Sequence, residues 1–306
     1  MAVSFTKAVR KKSKLRLALS GASGSGKTYS ALLLAKGLGG KIAVIDTERG
    51  SASLYADMPD IPPFDVLELS DPFTPEKYVE AIKAAETAGY DVLIIDSMTH
   101  EWSGKGGCLE LVDEVARARF KGNTWSAWSV ITPRHRTFVD AMLTAKLHVI
   151  ATMRSKTETV QEDSNGRKVV RKLGMKAEQR DGMDYEFTTM FDIVHNGHFA
   201  EAAKDRTGLF QNKDPFVITE ETGKQIREWL ENAGITPAEF ADLMSRTIEA
   251  ESLEALAEIG KEIASRGLCD EDREKIASAY KERRHELCEL AKQAVPQDNN
   301  GQPKEE

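Results

Sequence analysis

Gly21-Ala22-Ser23-Gly24-Ser25-Gly26-Lys27-Thr28 is the stretch on which the reading of this chain turns. It satisfies G-x-x-x-x-G-K-[ST] at every position. It also lies between an apolar run, Leu15–Ser20, and a helical pattern, Thr28–Gly37, which is the context the motif needs. The residue types follow from the chemistry of phosphate. Glycines let consecutive backbone N–H groups wrap an anion, and the N-terminus of the following helix favours negative charge. The Lys27 ammonium can reach β- and γ-phosphates, and the Thr28 hydroxyl can ligate Mg²⁺. Gly21, Ala22, Ser23, Gly24, Ser25, Gly26, Lys27 and Thr28 are therefore expected to hold a nucleoside triphosphate.

Such a loop also needs a carboxylate for the metal. Asp91-Val92-Leu93-Ile94-Ile95-Asp96 is an apolar strand that ends in Asp96, the expected Mg²⁺ partner of Thr28. Hydrolysis needs a base as well, and the position after Asp96 is Ser97. Two glutamates compete for that role. Glu101 follows five residues on, and Glu48 closes the strand Lys41–Glu48. The C-terminal end of a parallel strand faces the ligand crevice, which favours Glu48.

Leu15–Ser20, Lys41–Glu48, Asp91–Asp96 and His148–Arg154 all read as short buried strands. Helical patterns separate them, for example Pro75–Gly89. The alternation predicts an α/β fold with a mostly parallel central sheet flanked by helices. Asp192–His198 is a further strand candidate, with Asn196-Gly197 as a hairpin signal before a return segment at Phe199–Leu209. Asn165-Gly166 sits between two β-prone arms, so a projecting hairpin is expected over Thr157–Leu173. Beyond residue 230 the pattern becomes helical. Thr236-Pro237-Ala238-Glu239 has the form of a capping box, and Ser252 and Asp270 resemble further N-caps. The spacing of Leu253, Leu256, Ile259 and Ile263 predicts a core-facing stripe. The expected divisions are a basic arm at 1–14, the α/β domain at 15–232, an acidic helical module at 236–295 and a disordered tail at 296–306.

The balance of the 306 residues, 41% hydrophobic and 30% charged, predicts a soluble globular chain with a sizeable core. Cys108, Cys269 and Cys288 exclude a disulfide framework, and none forms a CxxC pair for zinc. A reducing, cytoplasmic setting is expected. No apolar run approaches the roughly 20 residues that would cross a bilayer, so no membrane partner is expected. The net charge of −7 argues against a uniformly basic nucleic-acid coat. The distribution is uneven, however. Residues 1–16 hold six bases and no acids, 154–180 hold eight bases against four acids, and 236–295 hold fourteen acids against nine bases. A local basic surface can bind phosphates on an acidic protein.

With Ile45-Asp46-Thr47-Glu48 and Leu93-Ile94-Ile95-Asp96-Ser97 beside the glycine-rich loop, residues 15–210 resemble the RecA-type branch of P-loop ATPases. The nearest likeness is to small phage RecA-like core ATPases, some of which assist single-strand annealing and recombination. The resemblance implies a RecA-like P-loop NTPase fold, ATP and Mg²⁺ as cofactors, and Glu48 as catalytic base. It also implies hydrolysis stimulated by single-stranded DNA in the cytoplasm of a bacterial host. The segment Lys204-Asp205-Arg206 is similar to the Lys-x-Arg of RecA-like helicases, which implies that Lys204 and Arg206 reach a neighbouring subunit's ATP in a ring or filament. Lys156, Arg167, Lys168, Arg171 and Lys172 would line the DNA path, and Arg154, where the family often has glutamine, would sense the γ-phosphate. Trp102, Trp125 and Trp128 fall where the family has its other DNA loop, next to a mobile-looking Ser103–Gly107. The C-terminal helices would suit a single-strand binding protein or an annealase. Two other functions compete. One is an ATP-switched loader or scaffold with slow hydrolysis in DNA replication. The other is a small-molecule kinase, which the absence of an arginine-rich lid disfavours.

Overall fold

A computed structural model describes residues 13–164, 167–231, 237–266, 268 and 270–293, without the side chains of 157–175, 237, 265, 270–271, 291 and 293. The arm before residue 13, the Asn165-Gly166 turn, the Thr236 cap, Cys269 and the tail lie outside the described residues. The described residues form two compact units that divide between Arg227 and Glu228.

The first unit opens with β1 (Arg16–Gly21), α1 (Lys27–Leu38) and β2 (Ile42–Asp46), followed by β3 (Asp65–Glu68), α2 (Pro75–Ala88) and β4 (Val92–Asp96). Next come α3 (Thr99–Ser103), α4 (Cys108–Arg119), α5 (Thr124–Thr144), β5 (His148–Ser164) and β6 (Arg167–Ala177). It closes with β7 (Thr189–Ile193), β8 (Phe199–Asp205), β9 (Phe216–Val217) and α6 (Glu220–Glu231), which runs past the division. The sheet order is β3-β2-β4-β5-β1-β7-β8-β9, with β6 paired to β5. β1, β2, β3, β4, β5 and β7 run parallel, and β8 and β9 return antiparallel.

The runs read as buried strands are buried because helices cover them. Tyr78 and Ile82 of α2 and Phe138 and Met142 of α5 pack on Ala43, Ile45, Leu93, Ile95, Val149 and Ala151. Strand side chains alternate between faces, and the alternate set Val44, Ile94 and Ile150 is buried too. Burying each such aliphatic side chain stabilises the fold by roughly 1.5–3 kcal/mol. Capping chemistry sets the ends of α2: Pro75 opens it and left-handed Gly89 closes it, donating to Ala85 and Glu86 carbonyls. At Gly37, α1 meets α6 closely. A Cβ there would lie 2.2 Å from the Glu220 carbonyl oxygen and 2.7 Å from Gly223 Cα.

Two expectations need correction. The strand expected at Asp192–His198 is instead Thr189–Ile193, because Thr189, Met190, Phe191 and Ile193 are the residues buried beside β1. Residues 195–198 form its connection to β8, closed by Val194 N–H donating to the Phe199 carbonyl at 2.8 Å. β5 does not stop at Arg154. It runs on to Ser164 as the first arm of a hairpin with β6. Arg16 lies in β1, within the strand expected at Leu15–Ser20, and despite its charge is only 6% exposed. Its guanidinium donates to the carbonyls of Leu15, Leu143, Ala145 and Leu147, satisfying orphan acceptors where α5 ends. Burial pushes its pKa down to about 10.

In the second unit lie α7 (Pro237–Ile248), α8 (Leu253–Ser265) and α9 (Asp270–Gln293). Ser252 caps α8 by accepting from Ala255 N–H at 3.1 Å, and α9 begins at Asp270. Leu256 and Ile259 enter a core with Leu243, Ile276 and Leu287, and Ile263 packs at its margin. Leu253 departs from the expected stripe and is 39% exposed.

Candidate functional site

The glycine-rich loop joins β1 to α1 and turns through Gly24 (φ +74°) and Gly26 (φ +92°), conformations that favour glycine. A Cβ at Gly21 would sit 2.4 Å from Ser25 Oγ and 2.7 Å from the Ile193 carbonyl oxygen. The start of α1 has no capping side chain and no acid in its first turn, which leaves its N–H groups suited to an anion. Lys27 Nζ donates to the carbonyls of Gly21 (3.0 Å) and Ala22 (2.8 Å). Burial lowers its pKa, and Asp96 and Glu48 oppose that shift. Ser25 Oγ is buried without a hydrogen-bond partner.

Asp96 ends β4, separated from β1 by β5. Its carboxylate nevertheless meets the loop, accepting from Thr28 Oγ1 at 2.5 Å and from Thr152 Oγ1 at 2.5 Å. Burial raises its pKa, and the two hydroxyls pull it back. A buried carboxylate that resists ionisation gains from a cation at that position. Hard oxygen donors from Thr28 and Asp96 fit Mg²⁺. The Asp96–Ser97 peptide is cis.

Glu48 lies just beyond β2, the neighbour of β4. Asp46, 1% exposed, shapes that turn by accepting from Glu48 N–H (2.6 Å) and Ala52 N–H (2.8 Å). Glu48 does not pair with adjacent Arg49; its ion pair is with Arg154, at 2.7 Å. Thr47 ties the two strand ends together, accepting from Ser97 N–H at 2.8 Å. Lys27, Thr28, Glu48, Asp96 and Arg154 all line one cleft of about 530 Å³, within the range typical of ligand pockets. Leu54, Tyr55 and Met58 give that cleft an apolar wall.

Glu101 is turned elsewhere. It is fully buried, its carboxylate accepting from Cys108 Sγ and paired with His135. Lys204 and Arg206 also lie away from the cleft. β8 meets β7 at Thr189↔Asp205, and β7 meets β1 at Leu17↔Thr189 and Gly21↔Ile193. They thus sit at the opposite end of the sheet from the loop, roughly 13 Å along the strands. Both donate to the Tyr185 carbonyl. Lys156 is exposed at the base of the β5–β6 hairpin. The side chains of Arg167, Lys168, Arg171 and Lys172 fall outside the described residues, although their backbones form the second arm of that ladder.

Trp102 and Trp128 stack with centroids 5.5 Å apart, while Trp125 is 88% exposed. With Pro133 and Arg180 they line a second groove of about 520 Å³. The segment at Ser103–Gly107 carries its own turn bonds, Gly104 N–H to His100 and Gly107 N–H to Gly104.

Two contributors stand outside the loop motif. Thr152, which steadies Asp96, is the one hydroxyl in the apolar run Val149–Met153, a signal open to sequence reading. His198, which donates from Nδ1 to the Ser25 carbonyl at 2.9 Å, arrives from a distant loop and carries no local signal.

A protein-family model described as an AAA domain matches residues 13–220. No curated protein matches the chain. No helix among the described residues is long and apolar enough to cross a membrane.

Proposed function

From the premise that the chain belongs to the AAA-domain family of P-loop ATPases, we propose that it is a Mg²⁺-dependent ATPase that assembles on single-stranded DNA and promotes annealing or recombination. One observation carries the reading: Lys27, Thr28, Asp96 and Glu48 converge on one cleft. Lys27 would bind the β- and γ-phosphates, Thr28 and Asp96 would hold Mg²⁺, and Glu48 would accept the proton of the attacking water. Assembly draws support from Lys204 and Arg206. Two cations far from their own cleft are suited to a neighbour's triphosphate, where they would stabilise charge in the transition state. DNA binding draws support from the basic composition of the β5–β6 hairpin, since lysine and arginine neutralise phosphates without reading sequence.

A second reading is an ATP-switched loader with slow hydrolysis. The Glu48–Arg154 pair favours it, because a carboxylate oxygen occupied by a guanidinium is not free to take a proton from water. ATP turnover with and without single-stranded DNA separates the two. Strong stimulation that Lys27→Ala abolishes supports the first. Tight binding with no turnover under any condition supports the second. Unchanged turnover in Arg206→Ala under assembling conditions would remove the trans-acting role.

A further inference from the structure

Beneath the tryptophan groove, three elements bring three chemically distinct ligand groups to one point. Glu101 comes from α3, Cys108 is the first residue of α4, and His135 lies inside α5. Glu101 and Cys108 are fully buried and His135 is 4% exposed. Glu101 Oε1 lies 3.1 Å from Cys108 Sγ and 3.0 Å from His135 Nδ1, and Oε2 lies 3.2 Å from the same nitrogen. One ligand atom from each residue falls within 4.8 Å of the others. None of the three lines the nucleotide cleft.

We propose that Glu101, Cys108 and His135 form a structural zinc site. The spacing fits. Zn–S of about 2.3 Å and Zn–N of about 2.0–2.1 Å put tetrahedral donors roughly 3–4 Å apart. Glu101, Cys108 and His135 supply one donor each, three of the four tetrahedral positions, and the second Glu101 oxygen, also near His135, or a water would take the fourth. Charge fits as well. A carboxylate and a thiolate together balance a divalent cation, and His135 binds as the neutral ring. Thiolate and imidazole select zinc over magnesium or calcium. Hydrogen bonding alone explains the cluster less well. Without a metal the counter-charge of a fully buried carboxylate would fall to His135 alone, and a thiol is only a weak donor to it, yet the Cys108 sulfur is buried against that carboxylate. Trp102, edge-on to His135 at 5.5 Å, and Trp128 beyond it give the cluster an apolar wall. The metal would enter during folding and clamp α3 and α4 to α5, fixing the floor of the groove. This assignment does not depend on the ATPase reading.

The test is elemental analysis of the full chain, produced without a histidine tag in zinc-supplemented medium and dialysed free of loose metal. About one zinc per chain is expected to remain, as for a site closed by folding. Cobalt exchanged into the wild type should show thiolate-to-cobalt charge-transfer absorption. Cys108→Ser should remove that absorption and lower retained zinc at least tenfold, while Cys288→Ser should change neither. Where Cys108→Ser fails to fold by circular dichroism, the wild-type zinc content and cobalt spectrum decide alone. Folded wild type that retains no zinc and takes up neither metal on titration overturns the site. So does zinc retention unchanged in folded Cys108→Ser.

Discussion

Arg154 donates from both Nε (3.1 Å) and Nη2 (2.7 Å) to a single oxygen, Oε1 of Glu48. The side chains are 45% and 29% exposed, so the pair contributes at most about 1 kcal/mol to stability. Its consequence is for proton transfer. Glu48→Gln should keep Mg-ATP binding within a few fold and lower turnover by about 10²–10⁴. Arg154→Gln should raise basal turnover and, on the proposed reading, shrink any increment produced by single-stranded DNA. Steady-state phosphate release, with and without DNA, reads both. A rise absent from Arg154→Gln would mean that the pair does not restrain Glu48.

Thr152→Val should weaken the hold on Asp96. The hydroxyl donates to a buried carboxylate that also accepts from Thr28. Its loss is expected to cost about 1–3 kcal/mol in stability, and Mg-ATP affinity should fall more than affinity for ATP without metal. Denaturant titration and calorimetry with and without Mg²⁺ check this.

Arg16→Met should destabilise the first unit. It leaves the buried carbonyls of Ala145 and Leu147 and the half-buried one of Leu143 short of a donor, at about 1–3 kcal/mol for a buried group left unpaired. Chemical denaturation measures the loss. A variant as stable as the wild type would show that water replaces the guanidinium at no cost.

His148 gives stability a pH dependence of known sign. Its Nδ1 accepts from Leu15 N–H at 3.1 Å, which requires that nitrogen to be unprotonated. Burial, with Lys14 and Arg16 close by, pushes its pKa down to about 4. Above about pH 6.5 the ring is neutral folded or unfolded. As pH falls from there toward 4, the unfolded chain takes up a proton that the folded chain refuses, and stability drops. The loss is at most about 3 kcal/mol, reduced by the partial exposure of the ring. In His148→Gln, whose amide oxygen can still accept, that slope should flatten relative to wild type in denaturation curves across the window.

Gly37→Ala should destabilise by about 1–3 kcal/mol, because the new methyl meets the backbone of α6, which cannot rotate away as a flexible side chain would. Thermal unfolding checks it against Gly89→Ala, where no atom lies within 4 Å and only the positive φ of +75° is strained.

How far the sequence could be read depends on where each element lies. The interior strands declare themselves as unbroken apolar runs because both their faces are covered. β3 does not, since Asp65–Glu68 is an edge strand that is mostly exposed and has no apolar run. α5 is masked by Pro133 in its interior, a residue that ordinarily ends a helix. At the candidate cleft the loop, Asp96 and Glu48, which the structure brings together, could be picked out from motif and strand ends. The partners that position them, Asp46, Thr47 and Thr152, are ordinary residues whose roles arise only when neighbouring strands come into register. The Glu101–Cys108–His135 cluster is more hidden still, because a helix of its own supplies each ligand and no short spacing announces it.

β5 has a mechanical consequence. Arg154 is the last residue of that strand in register with Gly21, and Ser155 is the first in the ladder with Ala177. One planar peptide therefore separates the part of the strand bound to the rigid interior from the part that projects. The ladder with β6 stays in register from Ser155 to Glu158 before its irregularity at Glu158/Thr159, so displacement of the hairpin's base bears directly on the strand end that carries Arg154 and pairs with the first glycine of the loop.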